Sequence, residues 1–373
     1  MIPLLERLML PSRLTHWSFV FLLAPLLSFS LASAEETLTQ PPLPQVEAGS
    51  EGSRATLSEN DPLQTGFQQL YQSQLQEALD SFRQAGEQDQ QAGDRAGEAD
   101  ALVGQAEASL WLGQYDEALA RAQQAFAIYQ ALNDRAGEAD ALHLMGDAQI
   151  GLDQVETGME SLQTALAMRR EVADRQGEGW TLGLVGIGQV RQGELQTGLE
   201  TLQGSLAILK EPVESGQQLQ QHYRQGVILA WIGNAYRQQE EYEKADQSLQ
   251  EALRLSRSIG NRSVEMLSQF ILGVLLTNQE QMDAAIQAYQ QAEKLAEATG
   301  NRSSQAAALA EIGVVYLERS NYAEAIEYYQ QALAIYQEKG DRYNEAETLY
   351  KLGGIYRKLE QYPQALENYQ QAL

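Results

Sequence analysis

The residues able to do chemistry are few. Three histidines (His16, His143 and His222) and no cysteine occur in 373 residues. Without a thiolate there is no disulfide, no sulfur metal ligand and no cysteine nucleophile. The histidines do not form a paired-histidine metal helix, and neither a Gly-Lys-Ser/Thr phosphate loop nor a Gly-x-Ser-x-Gly elbow is present. Gly183, Gly186 and Gly188 cluster within a helical pattern, so no strand precedes them to make a nucleotide loop. Asn261-Arg262-Ser263 and Asn301-Arg302-Ser303 match the glycosylation pattern, but they coincide with a recurring turn, which is the simpler account. His143 falls at a position expected to be a surface histidine. The carboxylates scatter as solvated helix faces rather than as converging pairs. No catalytic residue, no metal site and no cofactor is expected, and the chain reads as a non-enzyme.

Charge narrows the partners. Lys and Arg number 26 against 51 Asp and Glu, a formal charge of −25. Phosphate binding needs clustered Lys and Arg, so nucleic acid is not an expected partner. Residues 35–200 carry 28 acidic and 9 basic residues, and residues 201–373 carry 22 and 15. The N-terminal part could therefore steer a basic partner, or the acidity could simply keep the array soluble.

Residues 1–34 read as an export signal. Arg7 and Arg13 precede an apolar run from Trp17 to Leu31, and Ala32-Ser33-Ala34 supplies a small-x-small cleavage site. The run is short for a membrane span, which needs about 20 residues, and Pro25 interrupts it. The expectation is an exported protein, periplasmic or secreted, with no membrane span after cleavage. An uncleaved anchor is the alternative. Residues 35–61 hold Pro41, Pro42 and Pro44 without apolar periodicity and read as a solvated linker.

From residue 62 to 373 a 40-residue repeat organises the chain. DRAGEADAL occurs at Asp94–Leu102 and again at Asp134–Leu142; Asp174-Arg175, Asn261-Arg262, Asn301-Arg302 and Asp341-Arg342 continue the pattern. A second register of small residues runs through Gly66, Ala106, Gly146, Gly186, Gly233, Gly273, Gly313 and Gly353. The steps are 40 residues except for 47 between Gly186 and Gly233. Eight units follow, with a seven-residue insertion around Pro212 to Gln220 that reads as a longer loop.

Each unit reads as two helices. In the seventh, Leu309, Ile312, Gly313 and Tyr316 share one helical face, and Ala325, Tyr329, Ala332 and Ile335 share another. The first helix is expected over Ala306–Leu317 and the second over about Tyr322 to Lys339. Gly340 then ends the helix in the left-handed region and Asp341 caps the next one. Gly93, Gly260 and Gly300 fill the same stop position, Asn133 substitutes, and Ala173 suits it less well.

These residues resemble the tetratricopeptide repeat family. The resemblance rests on Leu309, Gly313, Tyr316, Tyr322, Ala325, Tyr329 and Ala332, and on the same series at Leu229 to Ala252 and Leu349 to Ala372. The 40-residue step is similar to kinesin light chains and bacterial arrays. Departures include a first unit without a well-patterned first helix, and Gly158 and Gly198 where Ala is usual, which suggests a locally softer section. The resemblance implies an all-α, right-handed α-solenoid whose first helices line a concave face that binds a protein or peptide. Mapped onto that face, the candidate partner-binding residues are Trp180, Ile187, Asn234, Arg237, Phe270, Val274, Leu317, Tyr350, Arg357 and Lys358. Val190 and Val314 map there as well. Asn234 with Arg237 would suit a carboxylate. The last unit is incomplete at Leu373, and similar bacterial arrays precede a CHAT protease domain. The alternative is therefore the recognition portion of a longer effector.

Overall fold

Helix punctuation in the sequence becomes eight helix pairs. The computed structural model describes residues 61–214 and 216–373. The expected signal and most of the expected linker lie outside those residues. The first four pairs are α1 (Pro62–Tyr71) with α2 (Leu75–Ala92), α3 (Arg95–Trp111) with α4 (Tyr115–Leu132), α5 (Arg135–Gly151) with α6 (Val155–Glu171), and α7 (Arg175–Arg191) with α8 (Leu195–Leu209). The next four are α9 (Gln218–Gln238) with α10 (Tyr242–Ile259), α11 (Arg262–Asn278) with α12 (Met282–Thr299), α13 (Arg302–Glu318) with α14 (Tyr322–Lys339), and α15 (Arg342–Lys358) with α16 (Tyr362–Gln371). Among the described residues there is no strand. The architecture is an α-solenoid.

Caps explain the boundaries. The Asp94 carboxylate accepts from the Ala96 and Gly97 N–H groups, and Asn301 accepts from Ser304. Gly93, Gly260, Gly300 and Gly340 sit at φ between 70° and 74°. Asn133 and Ala173 adopt the same region at 57° and 56°. Ala173 does so against its own sterics. The first helix of the seventh unit begins at Arg302, four residues before the apolar pattern starts, because the Asn301 cap sets its origin rather than the first apolar residue. The poorly patterned first helix, α1, is a short one of 10 residues capped by Asp61.

The small-residue register is the packing register. Each small residue of a first helix meets the side chain sixteen positions later on the second. Gly273 faces the Tyr289 ring, Gly313 the Tyr329 ring and Gly353 the Tyr369 ring; Gly146 and Gly233 face Leu162 and Leu249. Tyr289 and Tyr329 are among the largest fully buried side chains. A Cβ on Gly273 would lie 2.6 Å from the Tyr289 ring, so the hole and the knob specify each other.

Gly158 and Gly198 have a packing reason. A Cβ on Gly198 would stand 2.9 Å from the Val190 nitrogen and 3.1 Å from the Gly186 carbonyl oxygen. Two glycines thus let α7 and α8 cross backbone to backbone, where a methyl has nowhere to go. Gly204, on the same helix, has only a Leu182 methyl 3.8 Å from such a Cβ. Two alanine substitutions should therefore differ in sign. Gly204→Ala gains about 0.5–1 kcal/mol from helix propensity. Gly198→Ala loses about 1–2 kcal/mol because overpacking outweighs that gain. Urea denaturation of the two variants checks this.

The insertion lengthens a helix as well as a loop. The α9 helix has 21 residues where its neighbours α7 and α11 have 17, and residues 210–217 bridge to it. Its first two turns reach across the solenoid, Gln220 from the added turn and Tyr223 from a position that every unit has. The Gln220 Nε2 donates to the Tyr71 hydroxyl at 2.7 Å, and the Trp111 Nε1 donates to the Tyr223 hydroxyl at 2.6 Å. A single apolar core therefore runs from Leu70 through Trp180 and Tyr223 to Val264. The first turn of the superhelix closes on itself.

Candidate functional site

Closure decides which of the sequence-derived positions remain accessible. Tyr223 stands at the centre of the closed turn. Its ring centroid lies 5.3 Å from Tyr71, 5.9 Å from Trp111 and 5.9 Å from Trp180. Trp180, a candidate contact on the concave face, is 7% exposed and belongs to this cluster. Ile187 is buried in the same core, with Val190. His143 is buried too, not a surface histidine: it lies 5.6 Å from Trp180, and its Nδ1 is 3.1 Å from the Thr181 hydroxyl. Burial, with Arg169 and Arg224 nearby, pushes its pKa well down, so it stays neutral.

Charge also enters this interior. Arg224 lies 5.8 Å from the centre of the Trp180 ring. Desolvation raises the Glu107 carboxyl to about 7, against the pull of the Arg224 guanidinium and the Tyr223 hydroxyl. Arg169, buried, ion-pairs with both Asp140 and Asp174. Its guanidinium ties α6 to α5 and to the cap of α7.

The second half differs by degrees. Asn234 is 1% exposed, and its Oδ1 accepts two hydrogen bonds from the Arg237 guanidinium at 3.0 and 3.1 Å. Desolvation lowers Arg237 to about 10. This pair is an internal hydrogen-bonded unit and presents no open fork to a carboxylate. Val274 and Val314 are buried. Phe270 is half-buried at 5.6 Å from Tyr289, and Leu317 is half-buried against the core of the seventh and eighth units.

The last pair is open. Tyr350 is 65% exposed, with its ring 5.5 Å from Tyr369, and Arg357 and Lys358 are exposed. Tyr343, missed in the sequence reading, is 54% exposed. Tyr343, Tyr350 and Arg357 are spaced by seven residues, which places them along one face of α15. Tyr362 and Leu366 of α16 are also exposed. Tyr343 occupies the repeat position of Tyr223, ten residues before the small glycine. One ring is sealed by the preceding turn and the other faces solvent. The Lys358 ammonium stands 5.7 Å from the Tyr322 ring centre, adding a cation at the edge of this surface.

The glycosylation-like tripeptides are structural. Asn261 and Asn301 are buried, and each amide is hydrogen-bonded on both its oxygen and its nitrogen. Among the described residues no group of three or more His, Asp or Glu is placed to hold a metal ion. No described helix is long and apolar enough to cross a membrane.

Comparison with known proteins agrees with this geometry. A family model described as Tetratricopeptide repeat matches residues 225–298 and 304–373. No curated protein matches the chain in sequence. Among solved structures, a Rap protein complexed with Competence and Sporulation Factor is similar at a TM-score of 0.60 and 14% identity, covering 75% of each chain. The apo form of the quorum sensor NprR from B. thuringiensis is similar at 0.52 and 13% identity, covering 83% of this chain and 85% of that one. Aspartyl phosphate phosphatase F from Bacillus subtilis is similar at 0.52 and 18% identity, covering 74% and 69%. At such identities the likeness is one of fold. Residues 225–298 and 304–373 match the tetratricopeptide-repeat model, and the 40-residue register and the paired helices packed small-on-large carry the same architecture through the other described units.

Proposed function

We propose that the protein is a non-catalytic interaction scaffold that binds a peptide or partner helix along the exposed face of α15. One observation carries the reading. Tyr343, Tyr350 and Arg357 form an exposed stripe at seven-residue spacing, whereas Trp180, Ile187, Asn234, Arg237 and Val274 are buried at the other mapped positions. Exposed tyrosines beside an arginine are the residue types that anchor protein interfaces. An extended peptide or a helix can meet anchors about two and four helical turns apart. The similar fold of a Rap protein in complex with Competence and Sporulation Factor supports a ligand-binding role. Export to the periplasm or medium belongs to the same proposal and rests on Trp17 to Leu31 and Ala32-Ser33-Ala34.

The test is a displayed library of random 12- to 16-residue peptides panned on the immobilised full chain. Enriched peptides should lose about 10-fold or more in affinity to the variants Tyr350→Ala and Arg357→Glu. The melting temperature of both variants should be unchanged, because neither side chain is buried. No enrichment, or binding indifferent to both substitutions, overturns the proposal.

A further inference from the structure

The first two units meet the sixth and seventh at two equivalent junctions. At one, the Asn261 Nδ2 donates to the Tyr71 carbonyl and the Ser263 N–H to the Ser73 hydroxyl oxygen. At the other, forty residues on, the Asn301 Nδ2 donates to the Trp111 carbonyl. The outer rims of the two junctions differ. At the second, Leu112 is buried, and its methyl would lie 3.6 Å from a Cβ built on Gly300. The repeat sets Gln72 in the place of Leu112 and Gly260 in the place of Gly300. Gln72 is exposed, and a Cβ built on Gly260 would meet nothing within 4 Å. A cavity of about 250 Å³ opens there, lined by Gln72, Gln74, Ile259, Gly260 and Arg262.

The arginines separate the junctions further. One arginine follows the capping residue at 95, 135, 175, 262, 302 and 342. Five of these pair with a glutamate, Arg302 of the second junction with Glu338. Arg262 makes no ion pair or hydrogen bond among the described residues, and the glutamate three positions on, Glu265, is held by Arg257 at 2.7 Å instead. A cation in the first turn of a helix also opposes the helix dipole, so α11 gives Arg262 no compensation. Gln74 stands at the start of α2 and makes no side-chain cap bond. No carboxylate lines the cavity, in a chain with a formal charge of −25. One unpaired guanidinium, two amides and the apolar wall of Ile259 therefore surround it.

We propose that this cavity binds a small oxyanionic molecule, whose carboxylate or phosphate group pairs with the Arg262 guanidinium and accepts from the Gln72 and Gln74 amides. The planar fork of an arginine matches either group. The volume exceeds that of a bare ion, and Ile259 offers an apolar surface to the rest of the ligand. The site uses no residue of α15, so its failure leaves the reading of that surface standing, and the converse holds too.

The test is the full chain titrated with inorganic phosphate, acetate and phenyl phosphate, at an ionic strength held constant with sodium chloride. The arginine Nε–Hε resonance that disappears in Arg262→Gln is followed by nuclear magnetic resonance. It should shift saturably, and phenyl phosphate should bind more tightly than inorganic phosphate. A stronger response to acetate than to phosphate assigns the site to carboxylates, and the reverse assigns it to phosphate esters. In melting experiments the same ligands should raise the melting temperature of the parent. Arg262→Gln should weaken binding by at least about 10-fold, because a charge-assisted pair is lost. Gln72→Leu copies Leu112 of the other junction, so it should abolish binding without lowering the melting temperature of the ligand-free chain. Arg302→Gln, which removes the paired arginine of that junction, should leave binding intact. The site is overturned by the absence of any saturable shift up to about 20 mM, which lies beyond the range of a specific small-molecule site. Binding retained in Arg262→Gln or in Gln72→Leu overturns it as well, as does an equal loss in Arg302→Gln, which would reduce the effect to general charge.

Discussion

Tyr223→Ala lowers the stability of the first superhelical turn by about 3–5 kcal/mol, the range for removing a large buried aromatic side chain. The Tyr223 ring touches the rings of Tyr71, Trp111 and Trp180, which come from α1, α3 and α7. Its loss leaves a cavity where three units converge. Tyr223→Phe keeps the ring and removes only the hydroxyl that accepts from the Trp111 indole, so it costs about 1 kcal/mol. Stability in a repeat array is a sum of local and nearest-neighbour terms. The loss should therefore be greatest near the ring. Amide hydrogen exchange should accelerate in α1, α3 and the start of α9 and change little in α13 to α16. Equal exchange throughout, or a cost below that of the phenylalanine variant, would show that the ring does not close the turn.

Glu311→Gln removes a pH dependence and stabilises the protein in alkali. Glu311 is 9% exposed on α13, and burial raises its carboxyl to about 8 against the pull of Lys351, with Glu347 and Glu318 adding to the rise. In the unfolded chain the same group titrates near 4.5. Below that pH both states hold the proton, so the group contributes no difference. Between 4.5 and 8 the folded state holds a proton that the unfolded state has released, so stability falls as pH rises. Above 8 the loss is complete. The Gln variant lacks this slope. Relative to the parent it should gain stability steadily from pH 5 to pH 9, by on the order of a few kcal/mol. Asp147, raised by burial to about 6, acts in the same direction. Urea titrations at several pH values measure the difference, and parallel curves for parent and variant would show that Glu311 is solvated.

Much of the architecture was legible because repeat physics is local. Gly340 ends α14 and Asp341 starts α15 through contacts within a few residues of each, so composition alone places the boundary. The series from Gly66 to Gly353 marks the contact between the two helices of a pair, because the partner always lies sixteen residues away. The site was less legible. Tyr350, Arg357 and Lys358 are exposed, but Trp180 and Ile187, mapped to the same face, are buried. Periodicity assigns a face to a residue, and it does not say what lies opposite.

What lies opposite is a neighbour 112 to 190 residues away along the chain, such as Tyr223 against Trp111 or Asn261 against Tyr71. The sequence by itself determined the helices, their caps, the pairwise packing and the charge. Each of these depends on residues at most one repeat apart. Only the tertiary structure decided that Tyr223 of α9 would plug the first turn while its aromatic equivalent in the last unit, Tyr343, faces solvent. The physical reason is accumulation. The small rotation between stacked pairs sums over several units before two turns meet, and no single repeat contains that sum.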